Sequence, residues 1–257
     1  MNKKVSTQLP PLTEQQTKRY ARHILLPSVD FAGQERLLAA RVLIVGLGGL
    51  GNAAAPYLAA AGVGTLYLAD DDSVELSNLQ RQITFRESDI GRSKVAAVAD
   101  QLRAQNSDIQ IHEIPQRVDA SLLTSLLADI DLVLDCSDNL ATRNLINELC
   151  CAQQVPLVSG AAIRMEGQVV VLPMTVDAPC YQCFSRLFGE QELTCMSAGV
   201  LSPIVGVIGT LQALEALKLL INIGPSESGQ LHHFDGFTSE WQRFGFSKAA
   251  NCPVCAK

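Results

Sequence analysis

The sequence predicts an α/β protein built on a doubly wound, mostly parallel sheet with an antiparallel extension at its C-terminal end. Three observations predict it. Short β-prone apolar runs alternate with helical segments between residues 42 and 160, the pattern that sets strands in parallel with helices on both faces. The first run enters a glycine-rich turn, "VLIVGLGGLG" at 42–51. Beyond residue 163 the period changes to segments such as "EGQVVVLPM" and "GQLHHFDGF", strands that need not join a parallel ladder. At 257 residues, 47% hydrophobic, the chain has apolar mass for one large core. It divides into an N-terminal arm with helices (1–40) and a main domain (41–257).

The elements follow in order. "TEQQTKRYARHILLP" predicts a helix over 13–27 with Thr13 as N-cap, halted near Pro27. A second helix over 33–40 leads into the strand at 42–46. The helix over 50–61 contains Pro56, whose missing N–H should bend it. There follow a strand at 65–70, a polar loop from Asp71, a helix at 93–106, strand 109–114, helix 120–129, strand 131–136, helix 139–154 and strand 156–160. The apolar stretch 199–221 has the length of a membrane span. Gln212, Glu215 and Lys218 recur in it at helical spacing and would place polar groups in lipid. It therefore reads as a buried loop followed by an amphipathic core helix.

A net charge of −6 and a pI near 5.2 argue against tracking nucleic acid or an anionic membrane, since both need a basic face. "MNKKVSTQLPPLTEQQ" has no apolar h-region, so a cytoplasmic protein is expected. Eight cysteines in that setting point to metal or thiol chemistry rather than a disulfide scaffold.

Gly46, Gly48, Gly49 and Gly51 spell G-x-G-G-x-G, close to the Rossmann dinucleotide fingerprint, in which backbone N–H groups approach phosphate at a helix N-terminus. Asp70 ends the next strand, where an acidic residue can hold ribose hydroxyls. These features alone fit a nicotinamide or flavin enzyme, or merely a tight strand-to-helix turn. The loop "DDDSVELSNLQRQITF" shifts the balance to ATP, because Asp70, Asp71 and Asp72 are followed by Asn78, Gln80, Arg81 and Gln82. A triphosphate needs several cationic and amide donors. Lys94, at a helix start, offers a further charge. A solvated surface charge is the ordinary explanation for Arg81 or Lys94 taken singly; beside a phosphate turn they favour function. In "LVLDCSDN", Asp138 is the candidate for Mg²⁺ or catalysis and Asp135 for a helix cap.

Cys180-Tyr-Gln-Cys183 and Cys252-Pro-Val-Cys255 each have the spacing that brings two thiolates to one tetrahedral Zn²⁺. Four thiolates make a closed, structural site that would pin the C-terminal tail. Two separate redox motifs are the alternative, and neither opens a helix in a thioredoxin-like setting. Cys136, Cys150 and Cys151 read as buried and inert. Cys195, in "ELTCMSAGVLSP", is either a thiol that captures an activated acyl group or sulfur, or an inert residue.

Together "RYARHILLP", "GQERLL", "VLIVGLGGLG", "AGVG", "LSNLQRQ", "LVLDCSDN", "PLVSGAAIRMEGQ", "CYQC", "AGVLSP" and "CPVC" closely resemble the bacterial MoeB/ThiF adenylyltransferases, relatives of ubiquitin-activating enzymes, from about Arg19 to Cys255. The resemblance implies a homodimer that binds Mg-ATP and adenylates the C-terminal Gly-Gly carboxylate of a ubiquitin-like sulfur carrier, releasing pyrophosphate. Carried over by position, Gly46, Gly48, Gly49 and Gly51 line the nucleotide. Asp70 holds the ribose, and Asp72, Asn78, Arg81 and Lys94 belong to the ATP site. Asp138 matches the catalytic, metal-associated aspartate, and Arg22 an arginine inserted into the neighbouring subunit's phosphate site. Cys180, Cys183, Cys252 and Cys255 match the zinc ligands, and Cys195 the cysteine that can join the carrier through sulfur. A sulfurtransferase or cysteine desulfurase is the implied class of sulfur donor. The nucleophile is already ionised at neutral pH, so no general base is needed. His23, His112, His232 and His233 are accordingly expected to be ordinary surface or core residues.

The resemblance spans two branches. "LADDDSVELSNLQRQI", "GTLQALEALKLL" and "FDGFTSEW" look like ThiF, whose carrier is ThiS in thiamine thiazole synthesis. "SGAAIRMEGQ" and "SRLFGE" look like MoeB, whose carrier is MoaD in molybdopterin synthesis. The reading leans to the ThiS branch on the C-terminal strand with Trp241. An NAD-dependent oxidoreductase and a non-catalytic carrier-binding scaffold are the rival readings.

Overall fold

The computed structural model describes residues 9–186, 198–224 and 228–256. Thr13 opens α1 (Glu14–Arg19) with a reciprocal cap: its hydroxyl accepts from the Gln16 N–H, and the Gln16 side chain accepts from the Thr13 N–H. The single helix expected over 13–27 is two, because the chain turns at Tyr20 before α2 (Ala21–Ile24). Tyr20 is buried, and its hydroxyl accepts from Asn106 Nδ2 at 2.9 Å; that burial draws the backbone off the helical path. The next helix, α3 (Asp30–Ala39), starts three residues before the expected position.

Eight strands form one sheet in the order β3-β2-β1-β4-β5-β6-β7-β8. β1 (Arg41–Val45), β2 (Thr65–Ala69), β3 (Gln110–Ile114), β4 (Leu132–Asp135) and β5 (Leu157–Ile163) are parallel. β6 (Glu166–Leu172), β7 (Gln230–Asp235) and β8 (Glu240–Gly245) continue the sheet antiparallel. The change of period after residue 163 thus marks a real change of strand direction. Helices α4 (Gly49–Ala60), α5 (Lys94–Gln105), α6 (Ala120–Leu127), α7 (Leu140–Gln153), α8 (Tyr181–Ser185) and α9 (Ser202–Ile221) complete the described helices. α4 runs on through Pro56, at the cost of the helical donor to the Asn52 carbonyl.

Alternation along β1 feeds two cores. Val42 and Ile44 pack with Leu66, Leu134, Leu58 and Ile208 on one face; Leu43 and Val45 pack with Val133, Leu123 and Ile146 on the other. Burial on both faces explains the unbroken apolar run, and truncating a side chain such as Leu58 to Ala costs about 2–5 kcal/mol.

α9 is long and apolar enough to cross a membrane by composition, but it packs on α4 and the sheet. Gly209 permits this, since a Cβ there would lie 2.4 Å from the Leu50 carbonyl oxygen. The polar spacing used to assign the helix needs one correction. Gln212 is fully buried on the apolar face, where its Nε2 donates to the carbonyls of Asp135 (2.9 Å) and Val158 (3.3 Å). Only Glu215 and Lys218 belong to the polar side, where they pair at 2.7 Å. A buried amide is tolerated there because its donors have partners.

Candidate active site

In the order β3-β2-β1-β4-β5 the connections reverse direction between β1 and β4, and open α/β sheets bind ligands in the crevice at the carboxyl ends of such strands. A cleft of ≈ 1260 Å³ lies there. That is larger than the ~300–1,000 Å³ of a usual small-molecule site, which leaves room for a ligand and an extended chain end together.

The glycine turn forms one wall, with Gly46, Gly48 and Gly49 lining the cleft and Gly51 behind them in the first turn of α4. Gly46 has φ +91°, and a Cβ there would lie 2.7 Å from the Cys136 carbonyl oxygen. Only glycine fits both demands. Asp70 holds this turn in shape: its carboxylate accepts from the Leu47 N–H at 2.6 Å and from the Asp72 N–H at 2.8 Å. Burial pushes the Asp70 carboxyl above the usual carboxylate range, against the opposing pull of the Leu47 N–H and of Lys94.

Asp72, Asn78, Arg81, Lys94 and Asp138 line the same cleft. Lys94 enters at the start of α5, its side chain only 7% exposed, and donates to Asp72 Oδ2 at 2.7 Å. The buried Asn78 caps its own loop, accepting from the Glu75 N–H at 3.0 Å. Arg81, half-buried, donates to the Ser77 carbonyl at 3.0 Å and pairs with no carboxylate among the described residues. Asp138 is exposed in the cleft, likewise without an ion-pair partner among the described residues.

Asp135 is not a helix cap. It is buried and accepts from Ser137 Oγ (2.6 Å), the Ser137 N–H (3.0 Å) and Ser159 Oγ (2.7 Å), with Arg143 Nη1 at 3.7 Å. Asn139 caps α7 instead, accepting from the Thr142 N–H at 2.9 Å. Arg22 is exposed on α2 and is not among the residues lining its own chain's cleft. Cys195 lies outside the described residues. Burial pushes the Cys136 thiol well up, with the Asp135 charge adding to it, and Cys150 follows for the same first reason. Both are buried, as expected, whereas Cys151, also expected to be buried, is only half-buried at the end of α7.

Sequence reasoning missed several cleft residues. Gln116 and Arg117 follow β3, at a strand carboxyl end where the crevice rule could have found them. Arg143 and Tyr181 come from the opposite core, and no local signal marks them. His233 lines the cleft on β7, with Nδ1 buried and without a hydrogen-bond partner and Nε2 3.7 Å from Glu166 Oε2.

Away from the cleft, Cys180, Cys183, Cys252 and Cys255 bring their sulfurs within 4.8 Å of one another, all four buried. Cys180 and Cys252 Sγ lie 3.7 Å apart, Cys183 and Cys255 Sγ 3.5 Å. Zn–S bonds of about 2.3 Å place tetrahedral sulfurs about 3.8 Å apart, so the cluster is compatible with zinc.

Residues 20–254 match the ThiF family. The chain belongs to the ThiF family. It is 50% identical to the molybdopterin-synthase adenylyltransferase of Escherichia coli strain K12, over 96% of this chain and 99% of that protein. It is 49% identical to the sulfur carrier protein ThiS adenylyltransferase of the same strain, over 92% and 94%. The MoeB/ThiF adenylyltransferase expectation therefore holds, and the names of the relatives span both branches. A crystal structure of E. coli MccB with ATP superposes with a TM-score of 0.81 at 23% identity, covering 92% of this ThiF-family chain and 73% of MccB; that likeness bears on the fold.

Proposed function

We propose that this chain binds Mg-ATP in the cleft and adenylates the C-terminal Gly-Gly carboxylate of a ubiquitin-like sulfur-carrier protein. The observation that carries the reading is the convergence of the glycine turn, Arg81, Lys94 and the exposed Asp138 on one cleft. A carboxylate oxygen attacks the α-phosphorus; a P–O bond forms to the carrier, the bond to the β-phosphate oxygen breaks, and pyrophosphate leaves. The step brings anion against anion, so cationic donors that strengthen as charge develops are its main requirement. Arg81 and Lys94 meet it from within the chain.

Arg22 meets it from the partner of a homodimer, which accounts for an exposed arginine that does not line its own chain's cleft. Asp70 accepts from the ribose, the glycine turn donates to phosphate, and Asp138 holds Mg²⁺, which supplies charge neutralisation on the triphosphate. Cys180, Cys183, Cys252 and Cys255 hold Zn²⁺. Cys195 and a sulfurtransferase or cysteine desulfurase belong to the later delivery of sulfur. No disulfide joins the seven described cysteines, and the setting that goes with this reading is cytoplasmic.

The leaning to a ThiS-like carrier rests on the "FDGFTSEW" hairpin of β7 and β8, where the half-exposed Trp241 packs tilted against Phe234 with ring centroids 4.8 Å apart. The test mixes the protein and Mg-ATP with ThiS-like and MoaD-like carriers and weighs the products. A carrier-AMP mass with one carrier and not the other assigns the branch. No adduct with either, alongside intact nucleotide binding, overturns the proposal.

A further inference from the structure

α7 touches both the cleft and the cysteine cluster, and it does so with one face. Arg143 and Asn147 stand four residues apart on that helix, one turn above the other. Arg143 is buried and reaches down to the loop that ends in Asp138: Nη2 donates to the carbonyls of Ser137 and of Gly160 (2.8 Å for the latter), and Nη1 to Ser159 Oγ at 3.3 Å. Asn147, 1% exposed, reaches the other way. Its Oδ1 accepts from the Tyr181 N–H at 2.8 Å, and its Nδ2 donates to Cys180 Sγ at 3.7 Å. The buried Tyr181 side chain lies beside the Arg143 charge, while burial pushes its phenol up from the ordinary value. At the far end of the helix, Cys151 Sγ contacts the Val254 carbonyl, between Cys252 and Cys255.

We infer that Arg143 and Asn147 are positioning residues that couple the four-cysteine knot to the Asp138 loop. The physical reason is the poverty of alternatives. Three of the guanidinium's five N–H donors are committed to fixed backbone and side-chain oxygens, and the buried amide is committed at both ends. A shift of Cys180 therefore moves Asn147 or Tyr181, and through them the Ser137 carbonyl next to Asp138. The helical part of the lever, Leu140 to Asn147, rises roughly 10 Å. Ligand-supporting hydrogen bonds of the Asn147 type tune metal sites in general; here the same helix continues to the nucleotide site. The inference rests on the adenylation reading and on the zinc assignment, and thermodynamic reciprocity makes it testable without turnover: if the knot biases the nucleotide site, nucleotide must bias the knot.

The experiment uses the full chain with its metal content measured, Mg-ATP affinity by calorimetry, and zinc release to a chromogenic chelator with and without saturating Mg-ATP. In the unmodified chain Mg-ATP lowers the amount of zinc released at equilibrium with the chelator, tightening zinc about fivefold or more. Asn147→Leu weakens zinc affinity about tenfold. Arg143→Lys, which keeps the charge and loses the fork, retains zinc but removes the effect of Mg-ATP and lowers kcat for pyrophosphate exchange more than it raises KM for ATP. Equal release with and without nucleotide, in a chain that binds both zinc and Mg-ATP, overturns the coupling while leaving the adenylation reading standing. A chain that binds no Mg-ATP overturns both. If Asn147→Leu does not fold, the Arg143→Lys comparison decides alone, and an undiminished nucleotide effect in that variant sinks the proposal.

Discussion

Lys94 Nζ lies 2.7 Å from Asp72 Oδ2, and the two sides of this ion pair differ in exposure: the lysine side chain is 7% exposed, the aspartate 66%. A nearly buried ammonium is held by a carboxylate that water can reach. The asymmetry sets unequal costs for breaking the pair. Asp72→Ala leaves an ammonium without its partner and should destabilise the fold by on the order of 2 kcal/mol, less than breaking a pair buried on both sides. Lys94→Met leaves only a solvated carboxylate, so stability should change little while exchange activity falls about 10²-fold. Urea unfolding of both variants checks this; equal midpoints would remove the argument from burial.

Arg81 and Arg22 are proposed to serve one site from two subunits. Arg81→Ala and Arg22→Ala should each lose exchange activity by about 10²-fold or more while keeping the fold. Mixing the two variants under conditions of subunit exchange should restore about a quarter of the original activity, because half the dimers are mixed and each mixed dimer has one complete site. If mixing restores nothing, Arg22 does not act across an interface.

Asp70 gives the pH dependence. Burial raises its folded pKa above the unfolded value, about 3.9. In the window above that value the native state binds more protons than the unfolded chain, so the contribution is fully present below the unfolded pKa and is lost as pH rises through the folded one. Asp70→Asn carries no such proton. Its curve of urea midpoint against pH should be flatter in that window, and the variant should gain on the parent as pH rises. Parallel curves would show that burial does not raise the Asp70 pKa in the folded chain.

The cysteine cluster should contain one zinc per chain, and Cys252→Ser should contain none. Loss of the metal frees the C-terminal turn from α8, and the thermal midpoint should fall by roughly 5 °C or more, equivalent to about 2 kcal/mol in a chain of this size. Elemental analysis finding no zinc in the parent protein would refute the assignment.

Much of this was legible in the sequence because the signals are local. The glycine turn needs a positive φ at Gly46 and reads as such from its neighbours. The strand–helix alternation carries the parallel half, since each strand is a short apolar run between turns. Both CxxC pairs announce their ligand geometry by spacing alone, although only folding brings residues 72 apart to 3.7 Å. Asp135 shows where local reading fails. Its place just before a helix suggests a cap, but Ser159 and Arg143 arrive from β5 and α7 and turn it into the buried centre of a network.

By itself the sequence determined the order of elements, the glycine turn, the paired cysteines and the family, all of which depend on spacing within a few residues or on motifs in fixed order. Tertiary structure alone decided that Lys94 is masked by Asp72, that Gln212 is core, that His233 faces the cleft, and that Arg143 and Asn147 join two sites. Those facts depend on which distant groups satisfy a buried donor or charge, and partners of that kind are chosen by packing across the sheet, where separation along the chain carries no information.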